Sequence, residues 1–172
     1  MKGFIFIICL LVFTITSISG LVWDYQFDRD CGDYLKLAGD APTVERAHNF
    51  LEKAVDYIEA HGLTQGNTGM VFHRTTDDLG IWYGNILGAK ATLDTLILEA
   101  KQNPQSVSQL TRDNALMKIR EVVLDHTGNG QSVTGPDWVS MHPHQSTFWI
   151  LFCVSFIVGG IMVAIYINTN SY

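Results

Sequence analysis

The two ends of this chain decide most of what it can fold into. One apolar run extends from Phe4 to Val22 and another from Phe148 to Ile167, and neither contains a charged residue. Each is long enough, as a helix, to cross a hydrocarbon core of about 30 Å. Trp23 closes the first run, Trp149 stands at the start of the second and Tyr166 near its end, where interfacial aromatics belong. A buried core helix over the second run would need a much larger domain around it than 172 residues can build. The expectation is therefore a transmembrane helix over 148–167, followed by a short tail, 168–172.

The first run reads in two ways. Lys2 followed by apolar Phe4 to Phe13, and then by Ser17 and Ser19 before Gly20, has the form of a signal peptide cleaved after Ser19. Leu21, Val22 and Trp23 instead prolong the run to full spanning length, so that 1–23 form an uncleaved anchor. The anchor is preferred, and both readings stay open. Either one, with Lys2 held inside by the positive-inside rule, places residues 24–147 on the extracytoplasmic side of the membrane. The expected organisation is a helical domain over 24–128, a linker over 129–147 and the second membrane helix.

Charge is confined to the middle. Between Asp24 and Asp137 lie 10 of the 11 basic residues and all 17 acidic ones, a net charge of −7 for that stretch. No basic stripe exists to displace the counterions of a phosphate backbone, so nucleic acid is not an expected partner. Of the three cysteines, Cys9 and Cys153 fall within the apolar runs and Cys31 is the only one in the middle. No internal disulfide framework follows. Cys31 either pairs with a second chain or, as preferred, fills a small apolar space.

The middle domain carries helical periodicity. Val44, Ala47, Leu51, Ala54 and Ile58 recur at steps of three and four between Pro42 and His61, with Asp40 placed to cap the start and Gly62-Leu63 to end the helix in a Schellman turn. Leu79, Trp82, Ile86, Ala89, Leu93, Leu96 and Ala100 do the same over three heptads. Thr75 and Asp78 precede them like a capping box, and Asn103-Pro104 follows. Trp23, Phe27, Cys31, Tyr34 and Ala38 form a further stripe that continues out of the first apolar run. A last helix starts at Ser106 or Ser108, carries Leu110, Ala115, Leu116, Ile119, Val122 and Val123, and ends before Gly128. Strand signal is almost absent, Met70-Val71-Phe72 being too short to require a sheet. The fold class expected is all-α, a small antiparallel bundle of about four helices flanked by terminal transmembrane helices.

Residues that could carry chemistry are few. In the loop 62–76 and just beyond it, His73, Arg74, Asp77 and Asp78 offer an anion partner or a carboxylate pair, and Trp82-Tyr83 an aromatic floor for a sugar or peptide. The competing reading gives the aspartates to a helix start and the aromatics to the core. His142-Pro143-His144 is the closest histidine pair, but a metal there would need two further ligands. Asp125-His126-Thr127-Gly128-Asn129-Gly130 resembles the start of a calcium loop, yet Pro136 stands where a bidentate Glu belongs. No metal, cofactor or catalytic residue is assigned, and no nucleophile motif occurs. Small residues fall at helical spacing in two places: Gly80, Gly84 and Gly88 along one face, and Ser155, Gly159, Gly160 and Ala164 in the second membrane run. There another helix can approach closely, supplied through Thr16 and Gly20 or by another copy.

The function expected is therefore a non-catalytic interaction, scaffold or assembly subunit. Its partners are the lipid bilayer and another membrane or envelope protein, or a second copy of itself. The alternatives are an extracytoplasmic ligand sensor reading loop 62–76 through a partner, and an enzyme using Asp77, Asp78 or His73 as acid or base.

Overall fold

The structure, a computed structural model, describes residues 2–70, 73–127 and 130–170. It is mostly helical, with one two-stranded sheet. The contacts divide into two compact units, residues 1–25 with 140–172, and residues 26–139.

The first unit contains α1, Lys2–Phe27, as far as Tyr25, and α6, Gln145–Asn170. Both helices are long and apolar enough to cross a membrane. Their outer faces are open, with Leu21 72% and Phe156 66% exposed, which a core helix of a water-soluble domain would not tolerate across its length. The two lie antiparallel. The Phe13 ring sits 4.9 Å from that of Phe152, and Trp23 sits 6.0 Å from Phe148. Gly20 lies in the seam, where a β-carbon would come within 2.8 Å of the Phe148 ring. The hydroxyls of Thr14, Thr16, Ser17 and Ser155 bond their own helix: Thr16 donates to the Val12 carbonyl at 2.9 Å, and Ser155 to that of Phe152 at 2.9 Å. No polar group of these side chains is thereby left to face hydrocarbon unpaired.

The second unit is the bundle. It contains a π-helical turn, Asp28–Gly32, then α2, Asp33–Gly39, α3, Val44–Ala60, α4, Leu79–Gln102, and α5, Gln109–Val123. Packing follows a ring, α2 on α3, α3 on α4, α4 on α5 and α5 on α2. The periodic residues expected to point inward do so: Leu51, Ile58, Leu79, Ile86, Leu93 and Ile119 are all at most 1% exposed. At about 2 kcal/mol for a fully buried aliphatic side chain, they supply much of what opposes chain entropy.

Several local expectations are corrected. Leu35, not Tyr34, takes the buried position in the first stripe. The π turn inserts a residue into the helical phase and rotates Tyr34 outward, where it stacks on Phe50. Thr43, not Asp40, caps α3, its hydroxyl accepting from the Arg46 amide at 3.3 Å, while Asp40 pairs with Arg120. Asp78 alone caps α4, accepting from the Ile81 amide at 3.0 Å. The Schellman ending forms as expected: Leu63 N–H donates to Ile58 O at 2.9 Å, Gly62 N–H to Glu59 O at 3.1 Å, and Gly62 has φ +68°. Ser108 caps α5, its hydroxyl accepting from the Thr111 amide. Leu110 is 69% exposed rather than part of the inner stripe.

The largest correction lies after α5. The helix ends at Val123, and β1, Leu124–Thr127, pairs antiparallel with β2, Gly130–Val133. Asp125 and Thr127 therefore sit in a ladder, opposite Ser132 and Gly130, and not in an ion-wrapping loop. Gly128 and Asn129 of the proposed calcium loop, and Val71 and Phe72 of the short strand signal, lie outside the described residues. The stretch read as linker, 129–147, contains β2, a 3₁₀ turn at Val139–Met141 and the start of α6.

Candidate functional site

Loop 62–76 is organised by its own polar groups. Asn67 is the hub: its side-chain carbonyl accepts from the Gly69 amide at 2.8 Å and contacts His73 Nδ1 at 2.9 Å, and its side-chain amide donates to the Arg74 carbonyl at 3.3 Å. The backbone of the loop is tied to the start of α4, with Thr68 N–H donating to Asp77 O and Leu79 N–H to Gly66 O. Asp77 is buried, and its carboxylate accepts from the Arg74 amide at 3.2 Å. Both aspartates thus terminate turns. Asp77 closes the 3₁₀ turn Thr75–Asp77, and Asp78 accepts from the Ile81 amide at the start of α4.

Trp82 and Tyr83 part company. Trp82 is buried and donates its indole N–H to the Thr134 carbonyl at 2.6 Å, holding the segment after β2 against α4. Tyr83 turns to α3, its hydroxyl donating to Glu59 Oε1 at 2.5 Å. That bond to a carboxylate pushes the phenol up to about 12, because a tyrosinate beside Glu59 is disfavoured. The two rings form no joint floor.

A cleft of about 650 Å³ does lie beside Trp82, between the first turns of α4 and the hairpin. Asp78, Trp82, Asn85, Asp125, Ser132 and Asp137 contribute to its walls, and none of the described lining residues is basic. Of the sequence candidates, Asp78, Trp82 and Asp125 of the calcium-like stretch reach it. The hairpin wall was unreadable from sequence because the strand itself was. The cleft suits a cationic or neutral polar group better than an anion. Among the described residues no cluster of His, Cys, Asp or Glu has the arrangement of a metal site. His142 is half-buried with its Nδ1 enclosed, and burial with neighbouring His144 holds its imidazole below the usual range.

Sequence reasoning missed a polar tie. His48 Nε2 lies 2.6 Å from Asp94 Oδ1, and Lys90 Nζ is 3.4 Å from Asp94 Oδ2, joining α3 to α4. Each of His48 and Asp94 stands one position after a buried stripe residue, Ala47 and Leu93, and that offset is the signal available in the sequence.

The small-residue positions fall outward. Nothing lies within 4 Å of a β-carbon added at Gly84 or Gly88, and Gly80 would meet only the Asp78 carboxylate and the Thr64 carbonyl. In α6, Ser155 is buried, but Gly159 and Gly160 face open space and Ala164 is exposed. The seam of the first unit runs through Phe13, Gly20, Phe148 and Phe152, and Thr16 and Ser155 are buried.

What α4 presents to solvent is an apolar face. Ile81, Gly84, Gly88, Ala91, Thr95 and Leu98 are all exposed and carry no charge, with Ile81 at 48% and Leu98 at 58%. Their steps are three, four, three, four and three, a second heptad seam on the side opposite the core. Thr95 returns its hydroxyl to the Ala91 carbonyl at 2.9 Å, so the seam offers a methyl group there. Leu87, 37% exposed, flanks it. At its first turn the face borders the cleft beside Trp82, which Ile81 also lines. In comparisons with known proteins, no family model, no curated protein and no solved structure matches this chain.

Proposed function

We propose that this chain is a membrane-anchored interaction subunit. Its helical unit stands on the extracytoplasmic side and engages another protein through the outer face of α4. The observation that carries this reading is the uncharged heptad seam from Ile81 to Leu98, exposed on a helix whose opposite side is already committed to the core. A helix apolar on both sides is characteristically covered on both. The packed pair of apolar helices supports retention of the first run as an anchor, because Gly20 and Phe13 fit against α6 residues.

The acidic cleft favours a second reading, a sensor for a cationic ligand. Its carboxylates at Asp125 and Asp137 are exposed and available.

A photo-crosslinking side chain at Leu87, in the full chain in intact membranes, tests the first reading. A protein adduct should form, be lost with Gly88→Glu, and survive His73→Ala, Asp77→Asn and Asp125→Asn. Glu raises helix propensity over Gly, so the fold is kept. Loss of the adduct with Asp125→Asn and its survival with Gly88→Glu would move the assignment to the cleft.

A further inference from the structure

We infer that the turn Met141–His144 is a pH-sensitive clasp: it holds the chain entering α6 against the end of α1 while His142 is neutral, and it lets go when His142 is protonated. The contacts that make the clasp all lie within the first compact unit. The His144 amide donates to the Met141 carbonyl at 2.7 Å and closes the turn. Met141 is buried, and its methyl carbon lies 3.2 Å from where Gly20 of α1 would carry a β-carbon. Ser140 donates its hydroxyl to Asp24 Oδ1 at 3.3 Å, and the His144 ring lies 6.5 Å from that of Trp23.

The half-buried His142 ring resists a charge in this place. Its Nδ1 is enclosed and has no hydrogen-bond partner among the described residues. The neutral ring therefore carries its proton on Nε2, because an N–H at Nδ1 would be buried without an acceptor. A further proton has only Nδ1 to go to, and it would set a cationic N–H in the same enclosed position. The ionisable groups that α1 brings to this end are Asp24 and Tyr25, and the first turn of α6, from Gln145 to Phe148, brings none. The carboxylate of Asp24 is the acceptor of Ser140. His144, in the same turn, repels a charge on His142 when it is itself charged, and burial together with this repulsion holds His142 below its usual 6.5. A folded value below the unfolded one means that the closed turn is at its most stable above pH 6.5 and loses stability as pH falls through and below it. Moving the turn into water relieves the cost and frees the segment before α6 to extend.

The test follows isotope-labelled methionine methyls and histidine rings by NMR, in the full chain in detergent micelles, from about pH 8 to about pH 5. Met141→Leu and His142→Gln identify the two signals. His142 should take up its proton with a midpoint below 6.5, and the Met141 methyl should shift at that same midpoint. In His142→Gln the Met141 methyl should keep its neutral-pH position throughout. In His144→Gln the shift should persist with its midpoint moved up, because the repulsion is gone. A His142 midpoint at or above 6.5, or a Met141 methyl that moves equally in His142→Gln, would overturn the clasp. Should His142→Gln fail to fold, a Met141 shift that does not track the His142 midpoint in wild type and in His144→Gln overturns it equally.

Discussion

Gly39 ends α2 where Leu124 enters the hairpin, and the fit there depends on the missing side chain. A β-carbon would come within 2.6 Å of Leu124 Cδ1 and 3.0 Å of Val123 Cγ2, both in the core. Gly39→Ala therefore overpacks the junction and should destabilise the protein by about 1–3 kcal/mol, read as a lower thermal midpoint of the full chain in detergent. An unchanged midpoint would show that the hairpin is not seated on α2. Tyr83 gives a second test at this scale. Its folded pKa is raised from 10.0 to about 12 by donation to Glu59. Because the neutral phenol is the favoured form, the stabilisation is complete below pH 10 and is lost as pH climbs through 12. In an ultraviolet titration, the difference between wild type and Tyr83→Phe should show one tyrosine ionising late, and Glu59→Gln should bring it back towards 10. A tyrosine titrating normally in both would mean the bond is not held in solution.

Among the elements, α4 shows most clearly how local propensity and surface role diverge. Gly84 and Gly88 weaken the helix by roughly 1 kcal/mol each relative to alanine, and the fold recovers nothing from them, since open space surrounds both. Gly84→Ala and Gly88→Ala should each raise stability by about 1 kcal/mol, opposite in sign to Gly39→Ala, in the same melting experiment. A loss of stability at either position would mean that the face is already packed. The stripes of α3 and α4 were legible in the sequence because periodicity reports which side faces the core. The Schellman end of α3 and the Ser108 cap were legible because they depend on one or two residues. Leu35 was hidden because a π turn changes the phase without any residue type that announces it. The hairpin was hidden because Val122 and Val123 serve a helix end as readily as a strand. The cleft followed the hairpin into obscurity, with Asp78, Trp82 and Asp125 readable among its walls but not as one site. The outer seam of α4 was present in the sequence, but as glycines at every fourth position, and only exposure distinguishes a docking face from a weak helix.

At the level of the whole molecule, the question is which side of a membrane the charged unit occupies. The apolar helices expose large side chains along their outer faces and are long and apolar enough to cross a bilayer, and Thr16 and Ser155 bond within their own helices. The acidic unit, with all 17 carboxylate residues, belongs in water. With Lys2, the cation next to the first run, taken as the inward anchor, the unit from Gln26 to Val139 is proposed to lie outward. Leu110→Cys provides the probe, since this residue is 69% exposed on α5 and none of the native cysteines is both exposed and outside the apolar runs. A membrane-impermeant maleimide should label Leu110→Cys in sealed cells as fully as after permeabilisation, and it should leave the wild-type chain unlabelled. Labelling that requires permeabilisation would place the bundle inside, and α4 could then meet only partners on the cytoplasmic side.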